Sequence, residues 1–200
     1  HTVINDKGKF ILNLLPSGIL REDVVNVLGC GMVIDIKHLC GEMDKLRAAG
    51  IKITPENLKI SDKAIITMPY NVLQDIMEED RLTKATGKPY GSTRRGIAPV
   101  YADKYMKKAF RMGELLNLSL LYKRLPDIVA WKNMTIKAYG FDPVKVDDMV
   151  EYFEKYGKPL RDYIIDTGIY LNQAHKDGKR IMFEAQLGAL RDIDYGIVPY

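Results

Sequence analysis

The sequence predicts an α/β fold built on a mixed, largely parallel sheet flanked by helices. Between residues 2 and 68, short runs of β-formers alternate with one segment of helical spacing, and strand, helix, strand is typical of an α/β layer. The 200 residues are 46% hydrophobic and 28% charged, as in an ordinary globular domain. We therefore expect one partial domain over residues 1–200, with a helical insertion at about 115–178.

The first elements are predicted to be a hairpin, short buried strands and one amphipathic helix. Residues 2–12 place β-formers on either side of the turn residues 5–8. Apolar residues over 36–46 follow helical spacing, with Asp35 as the N-cap and Gly50 just beyond the helix. Further strands are expected at 24–28, 32–34, 58–60 and 64–68.

The second half of the chain is predicted to be mostly helical. Helical spacing appears over 69–81, over 101–157 with a break near 140–143, and over 158–176, and a strand is expected at 179–184. The segment 84–99 has almost no core residues and is rich in glycine and proline, which predicts a long loop. Structureless segments of this length inside a domain are usually functional or disordered.

Charge and cysteine content exclude several classes of protein. The net charge of +4 permits an anionic ligand such as a nucleotide and is too small a basic footprint to favour nucleic-acid binding. No apolar run is long enough to span a membrane. Cys30 and Cys40 are ten residues apart without a second pair, so a disulfide framework or zinc site is not indicated. We expect free thiols in the reducing cytoplasm.

The loop at 91–99, Gly-Ser-Thr-Arg-Arg-Gly-Ile-Ala-Pro, has the composition of a phosphate-binding segment. Its small residues allow backbone N–H groups to approach a ligand, and the Ser92 and Thr93 hydroxyls add donors. Arg94 and Arg95 favour a phosphate over a neutral ligand. An ordinary surface loop is the alternative that composition leaves open.

Four cations follow this loop at helical spacing: Lys104, Lys107, Lys108 and Arg111. This spacing predicts a single helix face that carries four positive charges. Like charges at i, i+4 repel, so the face favours an anionic partner. A solvated surface face is the alternative interpretation.

The histidines and the last acidic residues give weaker signals. His1 is either a frayed chain end or a functional residue, whereas His38 and His175 are predicted to lie on the surface. Asp192 and Asp194 stand close to glycines, where a carboxylate either caps a turn or orients a ligand. No set of residues has metal-ligand spacing.

Several motifs together resemble those of the adenylosuccinate synthetase family. They are His-Thr-Val at 1–3, Leu-Leu-Pro-Ser-Gly-Ile-Leu at 14–20, the 91–99 loop with Tyr-Ala-Asp-Lys after it, Phe-Glu at 183–184 with Asp-Ile-Asp at 192–194, and Pro-Tyr at 199–200. They occur in the family's order and spacing along the whole chain. The resemblance implies a P-loop-like fold in part, with this chain as a central fragment that lacks the N-terminal phosphate loop and the C-terminal part.

The family resemblance implies an enzyme of AMP biosynthesis. Such enzymes join L-aspartate to inosine monophosphate (IMP), using GTP as co-substrate and Mg²⁺, and release adenylosuccinate, GDP and phosphate. The resemblance also implies a cytoplasmic homodimer, metal ligands mostly outside this fragment, and a fragment that is inactive by itself. The open alternatives are a diverged ligase for another purine monophosphate and a non-catalytic nucleotide-binding paralogue.

Individual site residues follow from the same resemblance. His1 matches the family's catalytic histidine, a general acid during phosphoryl transfer, and Thr93 matches the threonine that holds the monophosphate substrate. Lys107 stands where most members have an arginine that reaches the substrate phosphate in the neighbouring subunit. Ser92 and Arg94 are further candidates for phosphate binding.

Four positions depart from the family pattern. Lys107 keeps the positive charge of the usual arginine and loses its two-pronged fork. Arg94 and Ala98 replace common glycines, so the loop is stiffer and more basic. The family's substrate-binding glutamine would fall at Leu187, with Gln186 one position early, and we expect Gln186 to bind the substrate.

Overall fold

A computed structural model describes residues 1–6, 8–185, 188–192 and 194–197 and has the predicted α/β architecture. The strands are β1 (Thr2–Asn5), β2 (Gly8–Ile11), β3 (Asn26–Leu28), β4 (Val33–Ile34), β5 (Leu58–Ser61), β6 (Ile65–Ile66) and β7 (Ile164–Ile165). The α-helices are α1 (Ile36–Ala48), α2 (Pro69–Thr86), α3 (Ile97–Tyr105), α4 (Leu118–Ala138), α5 (Val146–Tyr152) and α6 (Thr167–Lys176). Shorter helical turns cover Ser17–Leu20, Met112–Asn117, Phe153–Gly157, Lys158–Tyr163 and Ala189–Arg191.

The strands form small sheets, and both the antiparallel and the parallel pairings of the predicted mixed architecture are present. β1 and β2 form the expected antiparallel hairpin, with Val3 opposite Phe10. β5 lies at the centre of a parallel sheet between β3 and β7, and β4 pairs in parallel with β6. The parallel strands are almost entirely buried, which explains their continuous apolar runs.

Helix α1 forms where the sequence predicts it and is capped as predicted. Asp35 Oδ1 accepts the backbone N–H of His38 at 3.0 Å, and Gly50 follows the helix at φ +81°. Its buried face consists of Ile36, Leu39, Glu42, Met43 and Leu46. Four of these are the expected apolar positions, and Glu42 is a buried acid that the apolar pattern alone does not reveal.

The chain forms two compact units, residues His1–Tyr170 and Leu171–Tyr200. The first contains the main hydrophobic core, in which the rings of Phe110 and Phe153 meet edge to face with centroids 5.6 Å apart. In the second, Asp192 Oδ1 accepts the backbone N–H groups of Asp194 and Tyr195 at 2.9 Å each, so Asp192 caps a turn. The division into one domain with a helical insertion stays a prediction.

The loop between α2 and α3 is shorter than the predicted 84–99. Helix α2 continues through Thr86 and ends at Gly87, whose φ is +74° and whose N–H donates to the Thr83 carbonyl at 2.9 Å. Helix α3 begins at Ile97, so the irregular segment covers residues 87–96. The last turn of α2 is polar, and a polar turn leaves no apolar period for sequence analysis to detect.

The predicted cationic helix face does not form. Helix α3 ends at Tyr105, and Lys107 has a left-handed backbone with φ +59°. Lys108 lies over the Trp131 ring at 5.6 Å, and Arg111 belongs to an isolated bridge with Ile65. The four cations therefore do not share one helix face, because α3 ends one residue after Lys104, the first of them.

Two further elements differ from the sequence prediction. The expected helix at 158–176 is interrupted by β7, which pairs with β5. The segment 179–184 is not a strand in the structure, and Met182 and Phe183 are 89% and 87% exposed. A run of β-formers becomes a strand only where a neighbouring strand supplies hydrogen bonds, and 179–184 has none of these pairings.

The state of the cysteines and the apolar character of the helices can be compared with the sequence predictions. Cys30 and Cys40 are both free thiols, as expected. Within the part of the chain that the structure describes, no helix combines the length and the apolar character that a membrane crossing requires.

The two thiols are expected to differ sharply in reactivity. Burial raises the pKa of the half-buried Cys40 thiol to about 11, whereas Cys30 is exposed. Since the thiolate is the nucleophile, only about one Cys40 thiol in 1,000 is ionised at pH 8. We expect the folded Cys40→Ser variant to react rapidly with an aromatic disulfide reagent and the Cys30→Ser variant to react only on unfolding. Equal rates in the folded variants would contradict this assignment.

Candidate functional site

The 87–96 loop is held against α2 by two buried carboxylates. Asp75 accepts the Ser92 hydroxyl at 2.5 Å through Oδ1 and the Gly96 N–H at 2.8 Å through Oδ2. Glu79 accepts the N–H groups of Gly91 at 3.2 Å and Ser92 at 3.0 Å. These carboxylates satisfy loop donors that would otherwise need water or a ligand.

This arrangement decides which loop groups face outward. The Ser92 hydroxyl donates to Asp75 and accepts the Arg94 N–H at 3.0 Å, so it already has two partners. The side chains of Thr93, Arg94 and Arg95 are exposed. The exposed groups that an anion from solvent can reach are therefore the Thr93 hydroxyl and the guanidinium groups of Arg94 and Arg95.

Gly96 joins the loop to α3 by close packing. Its φ is +77°, and a Cβ built on it would lie 2.8 Å from backbone atoms of Asn71 and Val72 on α2. A side chain would force the loop away from α2, so the position requires glycine. The first turn of α3 is thereby held directly against α2.

Arg94 occupies a position suited to glycine. Its φ is +56°, and its Nη2 lies 3.5 Å from Asp80 Oδ1 at the surface. Arg94 and Lys107 are the two non-glycine residues with positive φ in the described parts of the chain. A left-handed backbone costs such a residue about 1–2 kcal/mol, and strain of this kind concentrates at functional sites. Both residues were predicted from the sequence as site residues.

Lys107 lies at the opposite end of α3 from the loop. The turn around it is closed by the Asp103 carbonyl, which accepts the N–H groups of Lys108 at 2.8 Å and Ala109 at 3.2 Å. The Lys107 side chain is exposed. The cation is thus presented from a tight turn and not from a helix face.

His1 stands at the base of the hairpin. Its backbone N–H group donates to the Leu12 carbonyl at 2.8 Å, and the Leu12 N–H donates to the His1 carbonyl at 2.9 Å. The residues that follow Leu12 are fixed by the buried Glu42 carboxylate, which accepts the N–H groups of Asn13, Leu14 and Leu15 at 2.7, 3.1 and 3.0 Å. The strand next to His1 is therefore anchored to α1.

His38 connects this anchor to the loop. Its Nε2 lies 3.1 Å from Glu42 Oε1 and 3.4 Å from Arg95 Nη1. A neutral imidazole can donate to Glu42 or accept from Arg95 through this nitrogen, but it cannot do both at once. A continuous chain of contacts thus runs from the strand beside His1 to the loop that carries Thr93, through a histidine expected only to lie on the surface.

The structure brings some of the predicted site residues together, and one lies outside the described residues. Ser92, Thr93 and Arg94 share one loop, and the contacts through α1 connect that loop to the hairpin of His1. Gln186 lies outside the described residues. Among the residues that the structure covers, no three His, Cys, Asp or Glu side chains are arranged to hold a metal ion.

Sequence analysis missed the buried polar row of α2. Asn71, Asp75 and Glu79 follow each other at intervals of four residues, so they lie on one face of the helix. Their regular spacing beside apolar residues was a usable signal, since buried carboxylates in a core require donors from elsewhere in the chain. The loop supplies the donors to the two carboxylates, and the Asn71 amide donates to Asp103 on α3.

We expect the loop to depend on the charge of Asp75. Asp75→Asn replaces one acceptor oxygen with an N–H₂ group that faces the Ser92 hydroxyl or the Gly96 N–H. The variant should lose about 1–3 kcal/mol of unfolding free energy, and hydrogen exchange should accelerate at residues 91–96. Glu78→Gln on the same helix is the control, because this carboxylate pairs with Arg81 of α2 and not with the loop. A shift no larger than that of the control would show that Asp75 does not hold the loop.

Comparison with known proteins assigns the chain to a family. A sequence profile of adenylosuccinate synthetase matches residues 1–200. Adenylosuccinate synthetases from Halothermothrix orenii and Clostridium novyi are 40% and 38% identical to the chain, over 100% of the chain and 46% of each relative. The fully ligated adenylosuccinate synthetase from Plasmodium falciparum has 30% identity and a TM-score of 0.87, and the match covers 100% of this chain and 45% of that one.

The chain therefore spans about half the length of the relatives that it matches. The matched region covers the whole chain, including the hairpin of His1 and the 87–96 loop. Since the profile covers all 200 residues, the chain belongs to the adenylosuccinate synthetase family.

Proposed function

We propose that this chain forms part of an enzyme that joins L-aspartate to IMP with GTP and yields adenylosuccinate, GDP and phosphate. Family membership over the whole chain supports the reaction. The observation that carries the assignment to these residues is the pair of strained cationic residues, Arg94 and Lys107, at the two ends of α3. Lys107 stands where the resemblance implies a cation that reaches the substrate phosphate, and Arg94 adds a second cation beside Thr93 in the loop.

The chemistry explains why the enzyme needs a nucleoside triphosphate. The 6-oxygen of IMP is a poor leaving group until it is phosphorylated, and phosphorylation lets the aspartate amine displace phosphate at C6. The task of the protein is to position the reactants and to stabilise the charge that develops during phosphoryl transfer. His1 would act as the general acid, holding a proton beside the purine oxygen.

The phosphate of IMP would be held by the loop and by the turn after α3. The Thr93 hydroxyl is exposed at the loop tip, beside the Arg94 guanidinium, and would donate to the phosphate oxygens. Ser92 supports this tip through Asp75 and is a further candidate for phosphate binding. Gln186 would contact the purine.

Lys107 would reach the phosphate of the neighbouring subunit in a homodimer. Its ammonium group is a single charge without the planar fork of arginine, so it would attract the phosphate with less directional restraint. The guanidinium of Arg94 lies on the loop and would add the bidentate contact that lysine cannot make.

Magnesium and GTP belong to the proposed reaction of the whole enzyme. Mg²⁺ would neutralise charge on the transferred phosphoryl group. The resemblance to the family implies that the ligands of the ion lie mostly outside this fragment, so the steps assigned to this chain are those of its own side chains. We place the enzyme in the cytoplasm, in agreement with two free cysteines.

The substrate is tested with an assay of the full-length protein. GTP, L-aspartate and Mg²⁺ are supplied with a panel of purine monophosphates, and GDP release is followed. We expect turnover with IMP and loss of most turnover in His1→Ala. The 200-residue chain alone should be inactive, because it spans less than half of its relatives. Turnover with a different monophosphate in place of IMP would indicate a diverged ligase, and GTP binding without turnover would indicate a non-catalytic paralogue.

If Lys107 completes the site of the neighbouring subunit, variants at His1 and at Lys107 should complement each other in mixed dimers. At an IMP concentration below KM, His1→Ala and Lys107→Ala homodimers should each be impaired in the full-length protein. After subunit exchange, half of the dimers are hybrids, and one of the two sites in each hybrid combines an intact His1 with an intact Lys107. Activity should recover to about a quarter of wild type. If Lys107 served its own subunit, no hybrid site would be intact, and mixing would restore nothing.

A further inference from the structure

We infer that Asp103 on α3 and Lys132 on α4 are positioning residues that set the place of the Lys107 cation. The inference rests on the proposed function of Lys107 as a phosphate ligand. It concerns two residues that do not face the substrate and that act through the turn carrying Lys107.

The two side chains form a buried and fully bonded ion pair. Lys132 Nζ lies 2.5 Å from Asp103 Oδ1 and 2.8 Å from Gln74 Oε1, and the Lys132 and Asp103 side chains are only 2% and 4% exposed. The other carboxylate oxygen, Asp103 Oδ2, accepts the Asn71 amide at 2.7 Å. Both oxygens of Asp103 are therefore fixed, one from α4 and one from α2.

The Lys132 ammonium group is buried beside two aromatic rings. Its Nζ lies 5.2 Å from the Tyr70 ring centroid and 5.0 Å from that of Trp131. Burial lowers the pKa of Lys132 from its ordinary value, and the ion pair with Asp103 opposes the shift. Removing either partner would leave the other as an uncompensated buried charge.

The backbone of Asp103 controls the turn around Lys107. Its carbonyl accepts the N–H groups of Lys108 and Ala109, the two residues directly after Lys107. A residue whose two carboxylate oxygens are both fixed thus also closes the turn that holds Lys107 at φ +59°. A strained backbone persists only where its surroundings over-determine it, and Asp103 supplies that constraint.

Positioning explains the ion pair better than stability does. A buried ion pair often contributes no more stability than apolar residues of the same volume. It does impose a single geometry, because both charges must keep their partners. The other end of α3 is fixed by Gly96 against α2, so the pair completes the fixation of the helix between the loop and Lys107.

The test is a double-mutant cycle in the full-length protein with IMP as the varied substrate. Lys132→Met should raise the KM for IMP by about tenfold and change kcat by less than about twofold, because a phosphate contact made in ground and transition state alike is lost. Lys107→Ala should have a similar effect. The Lys107→Ala/Lys132→Met double variant should be no worse than Lys107→Ala alone, since Lys132 acts through Lys107. Lys137→Met, an exposed lysine of the same helix, is the control.

Hybrid dimers provide a second readout that a general loss of folding would not reproduce. Mixing Lys132→Met with His1→Ala at an IMP concentration below KM should restore about a quarter of wild-type activity, because the effect of Lys132 falls on the partner's site. Asp103→Asn/Lys132→Met, which removes both charges together, replaces Lys132→Met if the single variant does not fold.

The outcomes separate this inference from the proposed function. Additive KM effects in the cycle, a fall in kcat at unchanged KM, or no rescue by His1→Ala would overturn the positioning role. If Lys107→Ala itself leaves the KM for IMP unchanged, the proposed function of Lys107 fails first.

Discussion

The polar row on the buried face of α2 is the constraint on which the candidate site depends. Asn71, Asp75 and Glu79 lie inside the protein, where each oxygen must find a donor. Asp75 and Glu79 accept donors from the 87–96 loop, and the Asn71 amide donates to Asp103 on α3. The loop and α3 are thus placed by the requirement to satisfy one helix face, since the loop itself contributes few apolar contacts.

Because the loop and α3 are fixed in this way, the backbone can adopt strained conformations near both ends of α3. Arg94 and Lys107 adopt left-handed backbones that an unconstrained chain would leave. Both are cations with exposed side chains, so the energy spent on their conformation places positive charge at defined points. Glycine is common in the family at the position of Arg94, which agrees with the positive φ found there. The substitution adds a guanidinium group at the cost of strain.

A second buried acid, Glu42, connects the 87–96 loop to the hairpin of His1. Glu42 of α1 binds the backbone after the hairpin and contacts His38, which in turn contacts Arg95. The hairpin of His1 and the loop of Thr93 are far apart in sequence, and α1 is the element that contacts both. Buried carboxylates therefore hold two irregular segments, the residues after the hairpin and the 87–96 loop. A buried acid can do this because it accepts several backbone N–H groups at once.

The sequence by itself determined the features that near neighbours control. The hairpin, the capped helix α1, the short parallel strands and the motifs of the family all depend on spacing and residue type within a few positions. The tertiary structure decided where α3 ends, that 179–184 is not a strand, and which polar residues are buried. Those outcomes depend on partners distant in the chain, such as Lys132 for Asp103 and Gly96 for Asp75. The energy of a buried charge is set by its donors, and no local pattern reveals which donors the fold will bring to it.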